Sequence, residues 1–105
     1  MARKVFIGQK TKSRVNTGGA AVGATVAALS TDTHELQGGV QLVADADNTG
    51  VVYVGTRSNL TAGTADATDG FPLSAGEALF IPANSESEIH HIADAAAQAL
   101  HFMSF

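Results

Sequence analysis

The feature that most constrains the fold is a series of short β-favouring runs separated by turn-forming residues. Val51 to Val54 and Glu77 to Ile81 are runs of this kind, and Gly, Pro, Asn or Asp interrupt the chain between them. Short strands at this spacing are typical of a sandwich or a barrel. We therefore predict an all-β fold, a single antiparallel β-sandwich or jelly-roll-like domain with an extended N-terminal arm.

The composition sets the size of the core and excludes several kinds of site. A chain of 105 residues suits one domain, but with five Phe, one Tyr and no Trp its core is thin, so association with other subunits is expected. The absence of Cys excludes disulfides and thiolate metal sites. No apolar run approaches the length of a signal peptide or a membrane span, so we expect folding in the cytoplasm and no membrane partner.

Positive and negative charges are segregated along the chain. Only one of the six Lys and Arg residues, Arg57, lies beyond residue 14, whereas all ten Asp and Glu do. We interpret residues 1–19 as a basic arm and linker, and residues 20–105 as the sandwich domain. Because the arm has no Tyr or Trp to stack on bases and the body is acidic, we expect an acidic protein surface as its partner, not nucleic acid. The predicted binding residues of the arm are Arg3, Lys4, Val5, Phe6, Ile7, Lys10, Lys12 and Arg14.

Local signals predict two hairpins. Two β-rich runs between Val40 and Gly55 flank a polar turn at Asp47 to Gly50, and residues 88–93 and 97–105 form a candidate C-terminal pair. Residues 93–100 have good helix propensity, so a helix is the alternative there. Residues 20–29 are also ambiguous, and we interpret them as a strand. Polar composition makes residues 56–70 a surface loop and residues 74–76 a turn, and Pro82 ends the preceding strand.

Candidate chemical sites are incomplete. Asp45-Ala-Asp47 begins like a calcium loop, but Thr56 stands where the twelfth position needs a bidentate Glu. His90 and His91 are adjacent, so a strand sends them to opposite faces, and either could meet only His101 across the predicted hairpin. Glu86 and Glu88 are interpreted as charges that flank a surface turn. Gly18 to Thr25 is Gly-rich but lacks the spacing of a nucleotide loop. We therefore expect no metal, no cofactor and no enzymatic activity.

Two strands are apolar on both faces. Val51 to Val54 and Ala99 to Phe105 do not alternate cleanly between apolar and polar residues, as strands of a solitary antiparallel sandwich should. This suggests that another subunit covers one face. The predicted oligomer interface consists of Val52, Val54, Leu100, Phe102 and Phe105.

Several segments together resemble the small β-sandwich virion proteins of tailed bacteriophages, such as head decoration (cement) and head-fibre proteins. The segments are Asn48-Thr-Gly-Val-Val-Tyr-Val-Gly55, Gly70-Phe-Pro-Leu-Ser-Ala-Gly-Glu77, Leu79-Phe-Ile81 and the predicted C-terminal hairpin, which ends in apolar residues. The resemblance covers residues 40–105. It implies a location on the capsid surface, a homotrimer that binds the major capsid protein, and no catalytic residues.

Two other functions stay open. The sandwich could be a receptor- or glycan-binding component of a fibre or tail, with residues 56–70 as its recognition loop, although the lack of Trp argues against sugar stacking. A small cupin-like enzyme would need a cluster of His and Glu around a metal, which the sequence spacing does not provide.

Overall fold

The computed structural model describes residues 15–105, and the predicted basic arm therefore lies outside the described residues. A 3₁₀ turn spans Glu86–Glu88, and the rest of the regular structure is β. The strands are β1 (Asn16–Val22), β2 (Ala27–Ala28), β3 (Val40–Ala44), β4 (Val52–Gly55), β5 (Phe71–Leu73), β6 (Ala78–Ile81), β7 (His90–Ala93) and β8 (Gln98–Ser104).

These strands form two four-stranded antiparallel sheets. The first sheet has the order β1-β8-β3-β6 and the second has the order β2-β7-β4-β5. The pairs β1–β8, β2–β7, β3–β6 and β4–β5 are nested inside one another, as if one long hairpin had been rolled up. This is the connectivity of a jelly roll. The predicted all-β sandwich is confirmed.

The core lies between the sheets and follows from alternation along the strands. On β8, Leu100, Phe102 and Ser104 face inward, while His101 and Met103 face outward. Burying a Leu, Ile or Val side chain contributes roughly 1.5–3 kcal/mol. The apolar core consists of Val22, Leu29, Leu36, Val40, Leu42, Ala44, Val52, Val54, Leu73, Ile89, Ala93, Leu100 and Phe102.

Both predicted hairpins are wrong, although their strands exist. β3 belongs to the first sheet and β4 to the second, and β7 and β8 are divided in the same way. The connections therefore carry the chain from one sheet to the other. No helix forms over residues 93–100, because residues 94–97 make this crossover and Ala97 takes a positive φ of 61°.

Side chains fix the β3–β4 crossover in place. The Asn48 carboxamide forms two hydrogen bonds with the backbone of Ala99, accepting from its N–H at 2.8 Å and donating to its C=O at 2.9 Å. The Gly50 N–H donates to Gln98 Oε1 at 2.8 Å, and the Val51 N–H donates to Asp94 Oδ1 at 2.9 Å. The segment that suggested a hairpin turn is thus bonded to the first residues of β8 and to Asp94 in the connection that precedes them.

The remaining strand predictions differ in their boundaries. β1 begins at Asn16, inside the segment predicted as a linker, and residues 20–29 are split between β1 and β2. Residues 56–70 form a loop with a single isolated bridge, Thr61 to Asp69. The turn at residues 74–76 is confirmed by the hydrogen bond from Glu77 N–H to Ser74 O, and β6 ends immediately before Pro82.

Gly39, which precedes β3, is a position where only glycine fits. Its φ is +151°, and an added Cβ would lie 2.4 Å from Ile81 O and 2.8 Å from Pro82 Cα. We predict that Gly39→Ala lowers the free energy of unfolding by at least about 2 kcal/mol, because main-chain atoms cannot move aside cheaply. Urea denaturation measures the change.

Gly23→Ala is the matched control for Gly39→Ala. A Cβ at Gly23 would meet no atom within 4 Å, so we expect a change below about 1 kcal/mol. Equal losses of stability in the two variants would contradict this account of Gly39.

Candidate functional site

The outer side of the first sheet carries a group of exposed apolar side chains. We call the outward-facing Val43, Phe80, Met103 and Phe105 the apolar face. They are 36%, 41%, 43% and 38% exposed, respectively. The rings of Phe80 and Phe105 lie 5.9 Å apart, centroid to centroid, at an angle of 32°. Side chains this large usually lie in a core or an interface.

Strand register brings these residues together from three strands. Gln41 on β3 lies opposite Phe80 on β6 and Met103 on β8, and the next outward residue, Val43, lies opposite His101. Phe105 continues β8 and is held by hydrogen bonds between its backbone and Gly38 and Gly39. The apolar face therefore sits on paired strands, and its side chains are placed by the sheet.

One histidine–carboxylate pair borders the apolar face. His101 Nε2 lies 2.8 Å from Asp45 Oδ1, at the end of β3. Two hydrogen bonds hold the pKa of Asp45 below its usual value: the larger effect comes from His101 and the smaller from the Asp47 N–H. Asp45 is thus engaged by this chain's own groups, as the Asp47 N–H donates to its other oxygen at 3.0 Å. Within residues 15–105, no three or more His, Cys, Asp or Glu side chains are grouped to hold a metal ion.

The structure separates the predicted interface residues. Val52, Val54 and Leu100 are at most 1% exposed and Phe102 is 9% exposed, because all four face the opposing sheet. Their side chains form the chain's own core, so the interpretation of these four as a subunit interface is corrected. Phe105 alone of the predicted set lies on the apolar face. Sequence reasoning missed Val43, Phe80 and Met103, although each directly follows an inward-facing residue on its strand and so carries the same alternation signal in the opposite phase.

The predicted arm residues, from Arg3 to Arg14, lie outside the described residues. The structure describes the chain from Val15, whose side chain is 67% exposed. β1, the strand that follows, is at the edge of the first sheet. The arm therefore joins the body at the sheet that carries the apolar face.

The loop of residues 56–70 is organised by Asp69. Its carboxylate accepts hydrogen bonds from the Thr61 and Thr64 hydroxyls, at 2.7 and 2.8 Å, and from the backbone N–H groups of Thr64 and Ala65, at 3.0 and 2.7 Å. These donors, the Thr61 hydroxyl first, hold the pKa of Asp69 far below its ordinary value. The bonds support the positive φ of 60° at Ala65. The loop is therefore built around an ionised carboxylate.

Two buried ionisable side chains lie away from the apolar face. Glu86 is 2% exposed, and its Oε2 accepts hydrogen bonds from Asn16 Nδ2 at 2.8 Å and from Ser104 Oγ at 2.5 Å. It ties the 3₁₀ turn to the start of β1 and the end of β8. The expectation that Glu86 flanks a surface turn is wrong, whereas Glu88 is exposed and accepts from the Asn84 N–H.

His91 is the second buried ionisable group. It faces the core at 2% exposure, and its Nδ1 has no hydrogen-bond partner. His90 lies on the other face of β7, as predicted from their adjacency. Neither can meet His101 across a hairpin, because β7 and β8 belong to different sheets. Burial, followed by the neighbouring charge of His90, lowers the pKa of His91.

Comparison with known proteins gives no family assignment. No family model, no curated protein and no solved structure matches the chain. Among the described residues, no helix is long and apolar enough to cross a membrane. The fold class therefore rests on the strand connectivity, and any function has to be argued from the surface.

The buried His91 predicts a pH-dependent stability. A histidine whose pKa is lowered on folding binds its proton less well in the native state than in the unfolded chain, where the ordinary value is 6.5. Its contribution to stability is therefore complete well above pH 6.5 and decreases as the pH falls below that value. We predict that His91→Phe reduces the loss of unfolding free energy between about pH 7.5 and pH 5.

Chemical denaturation at several pH values measures this effect. His34→Gln is the control, because His34 is exposed in a loop and the variant should retain the pH dependence of the natural chain. An unchanged slope in His91→Phe would show that other groups cause the pH dependence.

Proposed function

We propose that the protein is a virion structural protein without enzymatic activity. In this proposal it is a capsid decoration, or cement, protein that binds the head of a tailed bacteriophage and stabilises it by bridging subunits. The observation that carries the proposal is the apolar face on the first sheet. The resemblance in residues 40–105 supplies the particular setting, the capsid surface.

The apolar face supports a binding role because the core is complete without it. The buried residues fill the space between the sheets, whereas Val43, Phe80, Met103 and Phe105 point away from them. Apolar side chains grouped on one sheet surface gain free energy when a partner removes them from water. A second protein that covers them would bury the solvent-exposed side of the first sheet.

The basic arm supports an acidic protein partner. Five of the six Lys and Arg residues lie at positions 3–14, around the apolar Val5, Phe6 and Ile7. A segment of this kind can add to or lie across a neighbouring sheet, with main-chain hydrogen bonds for affinity and charge complementarity for register. In the proposal its partner is the major capsid protein.

Several weak contacts per assembly would make such binding strong. The resemblance implies a homotrimer, and a homo-oligomer that engages several capsid sites at once gains effective concentration at every contact after the first. Each apolar face then needs only modest affinity of its own.

Binding to empty expanded capsids tests the role of the apolar face. We predict that Phe80→Ser and Met103→Ser each weaken binding about threefold or more, since about two-fifths of each side chain remains to be covered and full burial of such a side chain is worth roughly 1.5–3 kcal/mol. A neighbouring gene for a major capsid protein would identify the shell to use, and co-sedimentation over a concentration series gives the affinity.

Phe71→Ser is the matched control for these variants. Phe71 is 57% exposed, more than any residue of the apolar face, but it lies on β5 in the second sheet. Its replacement should leave binding unchanged. A capsid affinity that is the same in all three variants and the natural chain would refute the apolar face as the docking surface.

Neutralising the arm tests its proposed contact with the capsid. We predict that replacing Arg3, Lys4, Lys10, Lys12 and Arg14 together by Gln weakens capsid binding and flattens its dependence on salt, because screened charge contacts are lost. Co-sedimentation at two or more ionic strengths measures both effects. Unchanged affinity would remove the arm from the interface.

One observation favours a second candidate function, binding of a receptor or glycan by residues 56–70. The loop is held in shape by Asp69, and a Cβ at Gly63 would lie 2.8 Å from the Tyr53 hydroxyl, so it packs closely on the second sheet. A preformed loop loses little entropy on binding. A glycan array distinguishes the two functions, since a decoration protein should show no specific signal.

A further inference from the structure

One edge of the first sheet is open to a further strand. β1 is seven residues long, carries no charge and no proline, and within residues 15–105 pairs only with β8. The other three edge strands are shorter, β5 contains Pro72, and β6 ends immediately before Pro82. Short length and proline are usual devices that keep an edge strand from pairing further. β1 is therefore the edge of the sandwich at which one more strand can be added.

The side chains in the middle of β1 are small on both faces of the sheet. A Cβ at Gly18 would lie 2.7 Å from the Phe102 ring, so Gly18 and, two residues on, Ala20 face the core. A Cβ at Gly19 would lie 3.6 Å from Nδ1 of the outward-facing His101, so Gly19 faces outward. Phe102 is 9% exposed, the highest value in the buried core. At this edge the core is thus covered by small residues alone.

The chain before β1 contains a segment with the length and the pattern of a matching strand. Residues 1–14 lie outside the described residues, and the described chain begins at Val15, directly before β1. Residues 3–9 are seven residues with the β-favouring Val5-Phe6-Ile7 at their centre. The six residues 10–15 suffice as a connection, since connections of this length are common in compact domains. Because the connection tethers residues 3–9 to β1, their effective concentration at this edge exceeds that of a separate copy.

We propose that residues 3–9 of the same chain pair antiparallel with β1 and add a strand to the first sheet. The antiparallel direction follows from the short connection, since parallel strands need a crossover of a dozen or more residues. Residues 3–9 then satisfy the main-chain groups on the open side of β1 and cover the core beside Phe102.

The phase of the added strand follows from its alternation. With Val5 and Ile7 on the inner side, both β-branched side chains lie against the core, and Lys4 and Phe6 face outward. The opposite phase would turn the Lys4 ammonium group toward the core and leave Val5 and Ile7 in water. Burying an unpaired charge is costly, so the first phase is the one that we assign.

The register follows from the sizes of the facing side chains. Pairing residues 3–9 with all seven residues of β1 places Phe6 opposite Gly19, and Val5 and Ile7 opposite the small inward residues. An aromatic ring beside a glycine on an outer strand covers backbone that the glycine leaves bare. A shift of two residues in either direction keeps the phase but moves Phe6 away from Gly19.

The inference does not depend on the proposed function. It assigns the apolar centre of the arm to this chain's own sheet. The basic Lys10, Lys12 and Arg14 then belong to the connection, where they are left for the charge contact proposed with the capsid.

The absence of Cys allows a direct test in the full chain. In the proposed register Lys4 lies opposite Ala21, and opposed residues of an antiparallel pair have Cα atoms about 4.5–5.5 Å apart, within the range of a disulfide. Mild oxidation of Lys4→Cys with Ala21→Cys should therefore close a disulfide within one chain in most molecules, as measured by mass spectrometry of the monomer. Lys4→Cys with Ser58→Cys, in an exposed loop, is the control and should form little.

Hydrogen exchange tests the pairing without added cysteines. The β1 N–H groups that point away from β8 should be protected in the natural chain, because residues 3–9 accept their hydrogen bonds. Val5→Ser with Ile7→Ser removes both inward side chains and should speed the exchange of these groups about tenfold or more, while β3 and β8 stay protected. Lys4→Ser with Gly8→Ser is the matched outward-facing control and should leave the exchange rates unchanged.

Three results would overturn the inference. Disulfides that form between two chains would assign the edge to a second copy, and equal yields in the two cysteine pairs would show no preferred contact. Rapid exchange of the outer β1 N–H groups in the natural chain would show that this edge stays open. Both experiments are done without capsids, so a chain that passes them but does not bind capsids would count against the proposed function alone.

Discussion

The packing of the two sheets against each other is the interaction on which the rest of the structure depends. β8 lies between β1 and β3, and its inward Leu100 and Phe102 fill the core, while the same backbone turns Met103 outward. Because alternate residues of a strand face opposite sides, burying one set exposes the other. The apolar face is thus the other half of the pattern that builds the core. A one-residue shift of β8 would turn Met103 inward and Phe102 outward, and both the core packing and the apolar face would be lost.

Five of the eight strands could be predicted from the sequence, but their partners could not. β-favouring runs and turn residues identified β3, β4, β6, β7 and β8, because these signals are local. The pairing of Val40 to Ala44 with β8, some sixty residues away, leaves no local trace. Asn48 illustrates the difficulty. It suits a tight turn, yet its side chain binds the backbone of Ala99 at the start of β8, and the polar segment is a crossover between sheets.

The burial of Glu86 and His91 could not be predicted from the sequence either, because it too depends on how distant segments pack together. Glu86 is buried because a 3₁₀ turn brings it to the paired residues Asn16 and Ser104, which supply two donors. A carboxylate with such donors avoids much of the cost of burial. His91 has no partner for Nδ1, and its burial follows from the inward phase of β7. Of the apolar face, only Phe105 was singled out from the sequence, whereas the other three residues required the register of β3, β6 and β8.

The segregation of charge links the surface features of the molecule. Apart from Arg57, the body from residue 15 onward carries only acidic formal charges, and such bodies repel one another. Self-association or docking through the first sheet must therefore overcome this repulsion. In the sequence, the basic residues of positions 3–14 precede β1, a strand of the sheet that carries the apolar face. Under the proposed function, apolar contact by that face and charge attraction by the arm would have to act together to overcome the repulsion.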